Sequence, residues 1–279
     1  MALNREKTLE AAQKFIEKRK YDKAVLELRR LTDADPNDVR NLHKIGELQA
    51  KQGLWTEAID TFESVGKLYA NGGFAPKAVA VYKQIREMIA AHAPQLEERY
   101  GHIVPKLAEL YQELRLTKDA LTLLNEYAAR LQNAQREAEA TEIYQRIADL
   151  DPMNPIPHLR LAEALSRAKD IDGAVSAFRA ASALLVTADR RDDAIQVLER
   201  LLHHRFEPDQ ARTCAELYLT RNRAPQDITQ ALTKLQMCFQ ANPRDVDSLT
   251  LIARAFDLLG QGQKAMDVRK EIARISPLR

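Results

Sequence analysis

The sequence predicts an all-α protein of about fifteen stacked antiparallel helices. Three observations predict it. Ala, Leu, Glu, Arg, Gln and Lys dominate the composition, and these are the strong helix formers. No alternating apolar–polar run bounded by turns occurs, so no strand is expected. Most telling, one pattern returns nine times: a small residue with large apolar residues four and seven positions on, often with Pro twelve on. It is densest in 51–85, where Ala58, Phe62 and Val65 are followed twenty residues later by Ala78, Tyr82 and Ile85.

The pattern has a packing cause. Two antiparallel helices approach closely only where one presents a small side chain at the crossing. The large residues one and two turns later fill the groove beside it. Proline then ends the helix, because it cannot continue the hydrogen-bond ladder.

Taken in order, Asn4 reads as the cap of a first helix. Ala24, Leu28 and Leu31 mark the next, which stops at Asp35-Pro36-Asn37. Leu42, Ile45 and Gly46 form the partner of the Ala58 helix, across a turn at Gln52-Gly53. Val104, Leu107, Ala108 and Tyr111 precede Ala120, Leu124 and Tyr127. Ala140, Tyr144 and Ile147 end at Asp151-Pro152. Leu161, Ala162 and Leu165 precede Ala174, Phe178 and Ala181, and Ala194, Leu198 and Leu201 follow. Ala231, Leu235 and Cys238 stop at Asn242-Pro243. The last unit pairs Leu249, Ile252, Ala253 and Phe256 with Ala265, Ile272 and Pro277, and carries Arg269 in the aromatic's place.

The anchor alanines are spaced 34, 20, 42, 20, 34, 20, 37 and 34 residues apart. A spacing of 20 leaves room for one helix and a turn. Three helices therefore serve two hairpins each, near 56–70, 118–132 and 172–187. The first of them also carries Val65, Gly66 and Tyr69. The 42-residue spacing implies a longer connection around Ala91–Gln95 and a long helix after it. The 37-residue spacing implies a hinge or loop at Asn222–Gln226. With these irregularities at 91–96 and 222–226, the chain is expected to be a single elongated domain over 1–279.

Charge and composition exclude several classes. There are 42 basic and 40 acidic side chains, a net charge of +2. Clusters such as Lys18-Arg19-Lys20 are flanked by acids and read as solvated helix faces, so no nucleic-acid partner is expected. No apolar stretch approaches the roughly 18–20 residues that span a bilayer. The start, MALNREKTLEAAQKF, lacks the apolar core and cleavage site of a signal peptide. The cytoplasm is the expected compartment. Cys214 and Cys238 suit it and read as small core residues.

Candidate chemistry is sparse. His203 and His204 are the only paired histidines, and adjacent helical residues point about 100° apart. No ligand stands at metal spacing around them, so neither metal nor cofactor is expected. Trp55 reads as a packing residue at its turn. Gly72-Gly73 lies between two amphipathic helices with no Gly-Lys-Ser/Thr after it, so it is no phosphate loop. Packing explains the strong positions, and no catalytic constellation is left over. The chain is expected not to be an enzyme.

The pattern resembles the tetratricopeptide repeat family, whose unit is a 34-residue helical hairpin. Segment 39–72 carries the family residues as Ile45, Gly46, Ala58 and Phe62. Segment 155–188 carries Leu161, Ala162, Leu165, Ala174, Phe178 and Ala181. Segment 246–279 carries Ile252, Ala253, Phe256, Ala265 and Pro277. The resemblance covers essentially the whole chain. It implies a right-handed superhelix and a soluble, bacterial-type scaffold or adaptor that binds a partner peptide, helix or domain on its concave surface. The alternative it implies is a peptide- or ligand-sensing regulator whose superhelix changes shape to control an effector.

The family's carboxylate clamp needs Lys and Asn one turn apart on first helices. The matching positions hold His43 and Glu47, Leu159 and Glu163, and Glu63 and Lys67, so no clamp is expected. First helices line the family's groove. Their inward positions here would be Arg40, His43, Glu47 and Lys51, then Glu63, Lys67 and Asn71, then His102, Lys106, Glu109 and Glu113, and then Asn125. The last helix, about 262–275, carries Ala265, Val268 and Ile272 with Met266 and Ile275 beside them. That apolar face is expected to support self-association.

Overall fold

The computed structural model describes residues 4–276; Pro277 lies outside that range. Among the described residues there are fifteen α-helices and no strand. The chain divides into two compact units, Met1–Tyr127 and Ala128–Arg279.

The first unit contains α1 (Arg5–Glu17), α2 (Tyr21–Ala34), α3 (Val39–Lys51), α4 (Trp55–Asn71), α5 (Ala75–His92), α6 (Ile103–Glu113) and the first part of α7 (Thr117–Asn133). Asn4 caps α1 by accepting from the Lys7 amide, as the sequence predicts. Successive helices pack on one another. Helices two apart also touch: Arg5 of α1 reaches Asp38, the cap of α3, at 2.6 Å, and Glu63 of α4 meets His102, just before α6. Alternate helices therefore share a layer.

The second unit contains the rest of α7, then α8 (Glu137–Leu150), α9 (Pro155–Arg167), α10 (Ile171–Thr187), α11 (Arg191–His204), α12 (Pro208–Arg221), α13 (Pro225–Ala241), α14 (Val246–Leu258) and α15 (Gly262–Ile275). The same layering recurs. Glu163 of α9 pairs with Arg200 of α11, and Glu199 of α11 pairs with Lys234 of α13, each at 2.7 Å. Arg212 of α12 pairs with Asp245, the cap of α14, at 2.6 Å.

All nine anchor alanines have no exposed surface. The reason is visible at α4. A side-chain carbon added to Gly46 on α3 would sit 3.0 Å from the Phe62 ring, and one added to Gly66 on α4 would sit 2.9 Å from the Tyr82 ring. So α4 places its own aromatic over the small residue of α3 and offers its own small residue to the aromatic of α5. This is the double service that the 20-residue spacing predicts. Burial pushes the Tyr82 hydroxyl up to about 12.

The turns share a feature that composition hides. Five residues before eight of the nine anchors, the backbone is left-handed. Gly53, Gly73 and Gly260 fill three of these places. Arg19, Arg115, Gln135, Lys169 and Asp189 fill the others, with φ between 52° and 62°. The closing bonds are those of a Schellman turn, as in Lys169 N–H to Ser166 O and Asp170 N–H to Leu165 O. A left-handed residue with a β-carbon costs roughly 1–2 kcal/mol, which glycine avoids. We expect Lys169→Gly to raise stability by about 0.5–1 kcal/mol after its larger unfolded-state entropy is counted. A loss of stability in denaturant titration would contradict this.

Two connections differ from the regular turn. After α5 the chain makes a 3-10 turn over Pro94–Leu96 and further turns before α6 begins at Ile103. The long helix expected there is instead an eleven-residue helix. The reason is that 97–102 is held across α4: Tyr100 donates to Asp60 at 2.6 Å. At 222–226, Asn222 takes the left-handed conformation and Pro225 opens α13.

Candidate protein-binding surface

The predicted surface residues fall into separate groups. On α3, His43 sets its ring edge-on to Phe62 at 5.2 Å, with Nδ1 3.4 Å from Glu47. Lys44 Nζ reaches the same carboxylate at 3.0 Å. Arg40 is exposed, and Lys51 lies over the Tyr21 ring of α2 at 5.9 Å. These contacts make His43 partly a packing residue.

The second group joins α4 to the start of α6. Glu63 is only 12% exposed in its side chain. Lys67, one turn on, reaches it at 2.5 Å, and His102 Nε2 at 3.1 Å. Beside them Asp60 accepts from Tyr100 and lies 3.6 Å from Arg99. Burial alone would raise the Glu63 carboxyl, but hydrogen bonds from Lys67 and His102 outweigh it and hold it below its ordinary value of 4.5. A carboxylate depressed by folding contributes stability that is present above its unfolded value and lost as pH falls through the folded one. The melting-temperature gap between wild type and Glu63→Gln should therefore be constant near neutrality and shrink below pH 4.5. A gap independent of pH would show that folding does not shift the Glu63 carboxyl.

The remaining predicted residues are scattered. Asn71 ends α4 and is exposed. Lys106 and Glu109 pair with each other on α6 at 3.1 Å, and Glu113 is exposed at its end. Asn125 donates to the Leu121 carbonyl of its own helix at 2.8 Å. The structure thus brings together Glu63, Lys67 and His102, and leaves the α3 group in the neighbouring layer. Asp60, Arg99 and Tyr100 were not singled out by the sequence. The Pro94 and Gly101 breaks around them were the available sign.

In the second unit, His204 Nε2 lies 3.0 Å from the Ser166 hydroxyl and its ring rests on Phe178. Arg200 also covers that ring, at 5.0 Å. Cys214 and Cys238 are buried and unpaired, and burial pushes the Cys214 thiol up to about 12, so it stays protonated and unreactive. Among the described residues, no group of three or more His, Cys, Asp and Glu side chains is placed to hold a metal ion. No described helix is long and apolar enough to cross a membrane.

Layered hairpins with a small residue at each crossing define an all-helical repeat protein. Residues 9–73, which span α1 to α4, match the family model described as tetratricopeptide repeat. The same small-residue crossings continue in both units, so the likeness to tetratricopeptide repeats extends beyond the matched residues. A comparison with curated proteins returned no match. Among solved structures, YrrB, described as a TPR protein with an unusual peptide-binding site, is 12% identical, with a TM-score of 0.34 over 60% of this chain and 92% of its own. The Pseudomonas aeruginosa pilF structure is 14% identical, with a TM-score of 0.34 over 99% and 93%. Yeast Tom70 is 16% identical, with a TM-score of 0.32 over 92% and 55%.

Proposed function

We propose that this chain is a non-catalytic scaffold or adaptor that holds a peptide, helix or domain of a protein partner on its repeat surface. Tetratricopeptide-repeat proteins in general mediate protein–protein interaction. The observation that carries the reading is the Glu63–Lys67–His102 cluster with Asp60, Arg99 and Tyr100 beside it. It is a fixed, mixed-sign array on one face of α4 and the start of α6, and such an array suits a partner segment of mixed charge with a few apolar anchors. Arg40, Glu47, Lys51, Asn71, Lys106, Glu109 and Asn125 belong to the proposal as outlying polar positions. We place the protein in the cytoplasm, a reading supported by its two unpaired, buried cysteines. The single-domain reading of 1–279 and self-association through α15 belong to the same proposal. Val268 and Ile272 of α15 are half-buried and Met266 is exposed.

The test is affinity capture from the native host with mass spectrometry, comparing wild type with the double variant Lys67→Ala and His102→Ala. Both side chains are more than half exposed, so helicity should hold, and melting should fall only by what their bonds to Glu63 contribute. His43→Ala is less suitable, because it also removes an aromatic contact with Phe62. Loss of a specific partner from the double variant is the expected result. Unchanged capture, with loss from Arg40→Ala and Glu47→Ala instead, would move the surface to the α3 layer.

A further inference from the structure

The second unit has a groove of about 390 Å³ whose walls are α13 and α15 and whose floor is α14. Leu232 and Phe239 form one wall, Val268 the other, and Leu249, Ile252 and Phe256 the floor. Phe239 keeps 40% of its surface exposed. The counterpart between α9 and α11, floored by Leu185 of α10, is only about 110 Å³. There the salt bridges Arg190–Asp193 and Arg200–Glu163 sit along the wall. The α13–α15 groove has no such pair on its lining. It is open because α15 is lightly anchored: Ala265 is its only buried residue among those described, and Arg269 stands where other repeats place a large apolar side chain. Arg269 turns outward to pair with Asp257.

One cation stands at the groove. Lys264 Nζ lies 5.5 Å from the centre of the Phe256 ring, and among the described residues no carboxylate pairs with it. An ammonium group over an aromatic face, without a counter-ion, attracts a carboxylate.

We propose that this groove binds an amphipathic helix of a protein partner, presenting a Phe- or Leu-sized anchor to the groove and an acidic residue to Lys264. Two parallel walls and an apolar floor suit the helix-in-groove mode, and the volume admits two or three side chains. The site lies on α13, α14 and α15, so it shares no residue with the α4–α6 surface. It rests on the protein-binding reading while using residues other than Glu63, Lys67 and His102.

The test uses the full chain and a labelled helical peptide with Phe and Leu four residues apart and Glu beside the Phe, read by fluorescence anisotropy. The Glu peptide should bind. Replacing its Phe by Ser, or making Phe239→Ser in the protein, should weaken binding about 30-fold, as for an interface anchor. Lys264→Glu should reverse the preference between the Glu peptide and a Lys counterpart by about two- to fivefold, as for an exposed ion pair. Lys264→Glu should leave the melting curve unchanged, and Phe239→Ser, at a position 40% exposed, should leave helicity unchanged. Failure of the Glu peptide to bind, or binding indifferent to both Phe239→Ser and the peptide Phe, would overturn the proposal. So would dodecanoate binding that depends on Phe239 and Lys264 while the peptide does not bind, which would assign the groove to a small amphiphile. The Lys67→Ala and His102→Ala variant should bind the peptide normally, so the two surfaces can fail independently.

Discussion

Phe62→Ala is expected to destabilise the protein by about 3–5 kcal/mol. The ring has no exposed surface, lies against Gly46 of α3 and supports the edge of His43. Its removal loses the transfer free energy of a phenyl group and leaves a cavity that Gly46, lacking a side chain, cannot fill. Denaturant unfolding followed by helical circular dichroism measures the loss. The companion substitution Gly46→Ala separates seating from burial. At an open helical position alanine would stabilise, since it is the better helix former by about 1 kcal/mol. Here its β-carbon would press on the ring, so a net loss is expected. A gain from Gly46→Ala, or a cost under about 1 kcal/mol from Phe62→Ala, would mean that α3 and α4 do not cross where the structure places them.

Asp227→Ala is the second large effect, at about 2–3 kcal/mol. Asp227 is 5% exposed at the start of α13. It accepts from the Arg223 amide at 2.9 Å and from two nitrogens of Arg221, which ends α12. Arg221 and Arg223 both continue to Asp192 on α11, at 3.2 and 2.9 Å. Hydrogen bonds from Arg221 hold the Asp227 carboxyl below its ordinary value. Its contribution is therefore present above the unfolded value and fades as pH falls through the folded one. Removing the carboxylate leaves a mostly buried guanidinium and an amide without their acceptor. Replacing both partners by apolar residues, Asp227→Leu with Arg221→Met, should cost less than Asp227→Ala alone. If the double replacement costs as much as both single ones combined, the pair acts independently and the ion network is not what fixes the 222–226 loop.

The helix inventory was legible because its cause is local. A small residue with large apolar residues four and seven on needs only helical geometry to be read, and Ala58, Ala78 and the other anchors are all buried. The double service of α4 was legible too, since Phe62 and Gly66 share one helix and their partners lie at fixed offsets. The stretch after His92 was not. Its apolar residues fit a long helix, and only the bond from Tyr100 to Asp60, forty residues away, shows why the chain turns instead.

The candidate surface was legible only in part. Glu63 and Lys67 lie one turn apart and were named together from helical spacing. His102 joins them because α4 and α6 share a layer, whereas α3 lies in the other. A helix that serves two hairpins moves the first-helix role from one layer to the next, so residues at equivalent repeat positions need not share a face. Asp227 was not singled out, because nothing in its local sequence distinguishes a solvated aspartate from one held by Arg221 and the Arg223 amide.

The sequence by itself determined the all-α class, the number of helices, their crossing points and the places where the repeat is irregular. These follow from side-chain size and helical period, which are properties of neighbouring residues. Only the tertiary structure decided which polar residues meet, which turns force non-glycine residues into the left-handed conformation, and which groove between helices stays open. Each of those depends on what a distant segment brings against the residue, and helical spacing carries no record of it.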